Sequence, residues 1–75
     1  MTTKWMTLGT ECRRFREDQG ATLADYARKT GLSRQAISMF ELGYNSSMQM
    51  LCFYIKEGMD IDVIIKAYEL DMRRV

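Results

Sequence analysis

Apolar residues recur at three- and four-residue intervals in five stretches, each bounded by polar or small residues. The pattern predicts five short helices. The first runs from about Thr7 to Gln19, with Leu8, Cys12 and Phe15 on one face, Trp5 beneath its start and Gly20 at its end. The second runs from about Leu23 to Thr30. Thr22 is its N-cap, Asp25 answers as a capping-box partner, and Leu23, Tyr26, Ala27 and Thr30 share a face. Gly31 closes it. The third runs from about Arg34 to Leu42, capped by Ser33 and closed by Gly43, with Ile37 and Phe40 inward. Tyr44-Asn45-Ser46 reads as a loop.

The fourth helix, about Met48 to Glu57, is capped by Ser46 or Ser47 and is apolar almost all round. Such a helix is either central to the core or covered by a partner. Gly58 ends it. The fifth follows Asp60, an N-cap, and reaches Tyr68 or beyond. Ile61, Ile64, Ile65 and Tyr68 form its stripe, widened by Val63 and Ala67. The β-branched run 61–65 also fits a strand, but a lone strand has no partner to pair with, which favours helix. The tail, residues 71–75, reads as frayed or as part of an interface.

Composition narrows this to one all-α domain over residues 1–75, too short for a second core. There is no proline to interrupt a helix. The two cysteines, Cys12 and Cys52, make no metal-ligand pattern, and histidine is absent, so no metal or cofactor is expected. Both fall on apolar helical faces and read as buried, reduced thiols of a cytoplasmic protein. No segment resembles a signal peptide or a membrane span. Net charge is only +1. Residues 1–45 hold seven Lys/Arg against five Asp/Glu, and residues 46–75 hold four against five, so the basic excess lies in the N-terminal half. With no histidine base, glycine-rich phosphate loop or metal cluster, catalysis is not expected. Asp60 and Asp62 read as a cap and a surface charge near a positive helix end.

The segment from Leu23 to Gly43 carries the functional signal. Two steeply crossing helices need a small residue where their backbones approach, and Ala27 is there. The turn between them needs a residue tolerant of positive φ, and Gly31 is there; Ile37 anchors the second helix. This segment resembles the helix-turn-helix of the lambda-repressor-like (Cro/CI, XRE) family, and the likeness extends over most of the chain. Leu8 to Gly20 resembles the family's first helix, Phe40-Glu41-Leu42-Gly43 the end of its third, and Asp60 to Tyr68 its last. The resemblance implies a compact five-helix fold with its helix-turn-helix at about residues 22–43. It also implies a structural ion pair between Arg16 and Glu41. The chain departs from the family at Leu23, where relatives often carry a glutamine that touches a phosphate.

Within that frame, Arg34, Gln35, Ser38 and Met39 take the outward i, i+1, i+4 and i+5 positions of the recognition helix. A recognition helix lays its first residues over base edges. Arg34 suits guanine and Gln35 adenine; Ser38 suits either, and Met39 a thymine methyl. Thr22, Ser33, Tyr44, Asn45, Ser46 and Lys29 are candidate contacts to the DNA backbone, with charge added by Arg28 and Lys4.

The apolar excess in the last two helices points to a homodimer through about residues 48–75. Phe53, Tyr54, Val63, Ala67, Leu70 and Met72 are its candidate interface. The expected function is sequence-specific regulation of transcription. The chain would act as a dimeric repressor on a palindrome of double-stranded DNA, of the compact kind carried by phages and mobile elements. The alternative is a protein-interaction module on the same fold, an antirepressor or phage-encoded inhibitor. Low net charge, Leu23 and the outward Met39 favour it.

Overall fold

A computed structural model describes residues 3–74. Five helices follow in order: α1 Met6–Asp18, α2 Leu23–Thr30, α3 Arg34–Glu41, α4 Met48–Lys56 and α5 Ile61–Arg73. All five match the periodicity to within a residue or two at their starts. Polar caps set most of those starts. The Thr22 hydroxyl accepts from the Asp25 amide at 3.1 Å, and Asp25 returns the bond to the Thr22 amide at 2.8 Å. Ser33 accepts from the Ala36 amide and Asp60 from the Asp62 amide. Of the two serines before α4, Ser47 is the cap.

α1 has no side-chain cap of its own. Its N-terminus is capped from the far end of the chain. The Asp71 carboxylate accepts from the amides of Thr7 at 3.1 Å and Leu8 at 2.8 Å. A carboxylate at a helix N-terminus meets both unpaired amides and the positive end of the dipole. Asp71 is wholly buried and α5 continues past it, so the reading of this segment as a frayed tail is corrected at Asp71, while Met72 stays exposed. α5 runs on to Arg73; Val75 lies outside the described residues. This contact also turns α5. Its inward face is Ile64, Ala67 and Asp71, not the expected Ile61–Ile64–Ile65–Tyr68 stripe. Ile61 and Ile65 face outward, while Tyr68 stacks on Trp5 with ring centroids 4.6 Å apart.

Leu8, Cys12, Tyr26, Ile37, Phe40 and Tyr54 form the heart of the core. Tyr54 is its hub: Phe40 stacks on it at 5.7 Å, and Tyr26 meets it edge-on at 5.4 Å. Two residues assigned to a dimer interface, Tyr54 and Ala67, are therefore interior, because the core of the single chain closes over them. Phe53 is half-buried against Tyr26, at 4.8 Å. Cys12 is buried as expected, but Cys52 is exposed, because the inward positions of α4 are Met50, Leu51 and Tyr54.

One polar cluster crosses this core and holds α3. Arg16 grips Glu41 with two bonds, Nε to Oε2 at 2.8 Å and a terminal nitrogen to Oε1 at 3.0 Å. The Tyr54 hydroxyl donates to the same carboxylate. The third arm of Arg16 donates to the Ala21 carbonyl at 2.8 Å. Both side chains of the pair are more than nine-tenths buried. Gly9 lets α1 approach, since a Cβ there would overlap the Glu41 carbonyl.

Removing one partner of a buried pair leaves an uncompensated charge and costs about 3–5 kcal/mol. A chain of this length has only about 4–11 kcal/mol in total. Glu41→Ala should therefore lower the urea midpoint steeply, while Arg16→Met with Glu41→Leu should recover much of the loss; an unchanged midpoint in Glu41→Ala would contradict the cluster's role.

Burial raises the Cys12 thiol from 9.0 to about 12, helped by the nearby Glu41 and Glu11 carboxylates. Burial likewise raises the Tyr26 hydroxyl from 10.0 to about 12, with Glu57 and Glu41 adding to it. Both groups fold in the protonated form, so their contribution to stability is complete below the unfolded values and is lost as pH rises through the folded ones. The thermal midpoint should hold up to about pH 9 and fall towards pH 12. At neutral pH a thiol reagent should label Cys52 quickly and Cys12 only after denaturation.

Candidate nucleic-acid interface

The α2–α3 turn is built by local chemistry. The Gly31 amide closes α2 on the Ala27 carbonyl at 2.9 Å, and its left-handed conformation, at φ +77°, then turns the chain out of the helix. The Thr30 hydroxyl donates back to the Tyr26 carbonyl at 2.8 Å and accepts from the Leu32 amide at 3.1 Å. Ser33 then starts α3. Three residues thus join the two helices, and α3 leaves the turn with its first helical residues free of the core.

α3 is divided cleanly. Ile37, Phe40 and Glu41 are buried. Arg34, Gln35 and Met39 are exposed, and Ser38 is half-buried. The four residues expected to read bases therefore share the outward face. Among the described residues, Arg34 makes no ion pair, so its guanidinium fork is available. Its neighbours differ. Arg28 pairs with Asp25, and Lys29 reaches Glu57 at the end of α4, at 2.8 Å. The Thr22 amide, the Thr22 hydroxyl and Arg28 hold Asp25 below the usual carboxylate range, so this acid stays charged at the start of α2.

The expected backbone contacts are dispersed. Thr22 and Ser33 are exposed caps whose oxygens each accept an amide. Tyr44 is 59% exposed. Asn45 accepts from the Ser47 amide through Oδ1, which leaves its NH₂ group free. Ser46 instead lines a groove between α4 and α5. Lys4 lies over the Trp5 ring at 5.0 Å.

One residue at this face escaped the sequence reading. Arg13 lines a cleft of about 150 Å³ where α1 passes the start of α2 and the end of α3, together with Arg16, Leu23, Ser38, Glu41 and Leu42. The signal was present: Arg13 stands one turn before Arg16 and shares its side of α1. No group of His, Cys, Asp and Glu among the described residues is arranged to hold a metal ion. No helix of the described residues is long and apolar enough to cross a membrane.

Comparison with known proteins agrees with this geometry. A family model described as helix-turn-helix matches residues 13–53, more than half of the chain. The match opens within α1, includes all of α2 and α3, and ends within α4. Comparisons with curated proteins and with solved structures gave no match. With its left-handed turn glycine, capped recognition helix and matching family model, the chain belongs to the Cro/CI-type (XRE) helix-turn-helix family, a family of DNA-binding regulators.

Proposed function

We propose that this chain is a sequence-specific repressor that binds a palindromic operator in double-stranded DNA as a homodimer. It is of the compact kind found in phages and mobile elements and works in the cytoplasm. The observation that carries the reading is the outward face of α3. Arg34 and Gln35 stand exposed at its N-terminal end, Ser38 and Met39 follow one turn on, and the buried Arg16–Glu41 pair holds the helix from behind. Arg34 pairs with a guanine edge and Gln35 with an adenine edge. Thr22, Ser33, Tyr44, Asn45 and Lys29 supply the contacts that set register on the backbone. Binding occludes the promoter and needs no second domain.

Dimerisation rests on the apolar surface of the last two helices. Met48, Ile55, Ile61 and Ile65 line an open groove of about 330 Å³ between α4 and α5. Leu70 and Met72 are also exposed, at 50% and 46%, and Val63 at 36%. A second copy that covers this surface gives two recognition helices in successive major grooves, about 34–36 Å apart.

A protein-interaction module on the same fold, an antirepressor or inhibitor, is the second reading. It is favoured by the pairing of Arg28 and Lys29 with acids and by the exposed Met39 and Leu42 beside the turn.

Selection from a randomised duplex pool at two salt concentrations tests the choice. An enriched palindrome whose retention falls with salt supports the repressor. No enrichment from folded protein favours the interaction module. On the selected site, Arg34→Ala and Gln35→Ala should each weaken binding by about 1–3 kcal/mol, roughly five- to 150-fold, with little change in thermal midpoint. Unchanged affinity in both variants would remove these residues from the reading face.

A further inference from the structure

Arg13 is exposed on α1, outside the recognition helix. Its nearest acid is Glu17, at 3.2 Å, and both side chains of that pair are more than half exposed. Such pairs are worth little in water and exchange readily for a stronger anion. The cleft that Arg13 lines is shared with Leu23, Ser38 and Leu42 and with the paired Arg16 and Glu41. Ser38 belongs to the outward face of α3, and Leu42, one turn further, is half exposed. The cleft is thus continuous with the reading face. Its walls combine two leucine side chains, a hydroxyl, the Arg13 guanidinium and the Arg16–Glu41 pair, whose charges offset each other through two hydrogen bonds.

A deoxyribose phosphate has the matching chemistry. Its sugar is a compact, weakly polar ring, and its phosphate accepts two parallel N–H bonds from an arginine. We infer that this cleft seats one sugar-phosphate unit of the DNA backbone, with Leu23 and Leu42 against the sugar and Arg13 leaving Glu17 to clamp the phosphate. The inference rests on the DNA-binding reading and gives it a phosphate anchor on α1. It also gives Leu23 a role: an apolar first residue of α2 is a wall for the sugar. Arg14 marks the contrast. It is as exposed as Arg13 and pairs with Glu11 at 3.2 Å, but it does not line the cleft.

The two arginines make a charge-matched test. Binding of a labelled random-sequence duplex is measured by fluorescence anisotropy over a range of salt concentrations for wild type, Arg13→Gln, Arg13→Lys and Arg14→Gln. Each lost phosphate contact lowers the slope of log K against log salt by about 0.9. Arg13→Gln should show that drop for each bound subunit, Arg13→Lys should keep most of the slope, and Arg14→Gln should stay near wild type. All four should share one thermal midpoint, since the replaced side chains are solvated. Equal losses in Arg13→Gln and Arg14→Gln would overturn the cleft assignment and reduce Arg13 to diffuse charge. So would a wild-type slope in Arg13→Gln. Salt-insensitive or absent binding by the folded wild type would overturn the DNA reading itself.

Discussion

The carboxylate of Glu41 sits where three helices meet, and most of the architecture follows from keeping it satisfied. It ends α3, and it takes two bonds from Arg16 of α1 and one from Tyr54 of α4. A charge this deeply buried is tolerable only when every partner is in place, because desolvation is not recovered by a partial network. Moving any of the three helices breaks a bond that water cannot replace. The rotation of α3 about its axis is therefore fixed, and with it the outward aim of Arg34 and Gln35. The same arginine reaches Ala21, so the segment that leads into α2 is tied to the same point. Burial first, and then its bond to Glu41, hold the Tyr54 hydroxyl well above its ordinary value.

The modest net charge takes on a different meaning once the cations are placed. Arg13, Arg14, Arg28 and Lys29 each have an acidic neighbour at the surface. Partners of this kind lower the field felt by a distant phosphate, yet they cost little to exchange when a phosphate arrives in contact range. Such a surface is a weak long-range attractor of DNA and relies on fit. The outward face of α3 accordingly mixes Arg34, unpaired among the described residues, with an amide, a hydroxyl and an apolar side chain.

The opposite end of the molecule is organised by Asp71. By capping α1 it closes the fold from its last helix back to its first, with the Trp5–Tyr68 stack alongside. That closure decides which side of α5 is interior. Ile61 and Ile65 are left facing outward beside α4, while Ala67 turns in. The outward apolar surface of α5 thus follows from the capping contact, and the family match ends before α5 begins.

Much of this protein was legible in the chain itself. The five helices follow from periodicity, and four of their starts follow from Thr22, Ser33, Asp60 and the Ser46-Ser47 pair, because a cap bonds amides two or three residues away and needs nothing from the rest of the fold. The turn at Gly31 is equally local, since only glycine takes that conformation without cost. The division of α3 into buried Ile37 and Phe40 and exposed Arg34 and Gln35 was visible for the same reason, as a helix with one clear apolar edge has one way to lie. α4 and α5 have apolar residues on several sides, so their sequences admit more than one orientation. Long-range contacts made the choice: Tyr54 turned inward to reach Glu41, sixty-odd residues separated Asp71 from the amides it caps, and Cys52 was left at the surface. The Arg13 cleft belongs with these, because its walls come from three helices and exist only after the helices have packed.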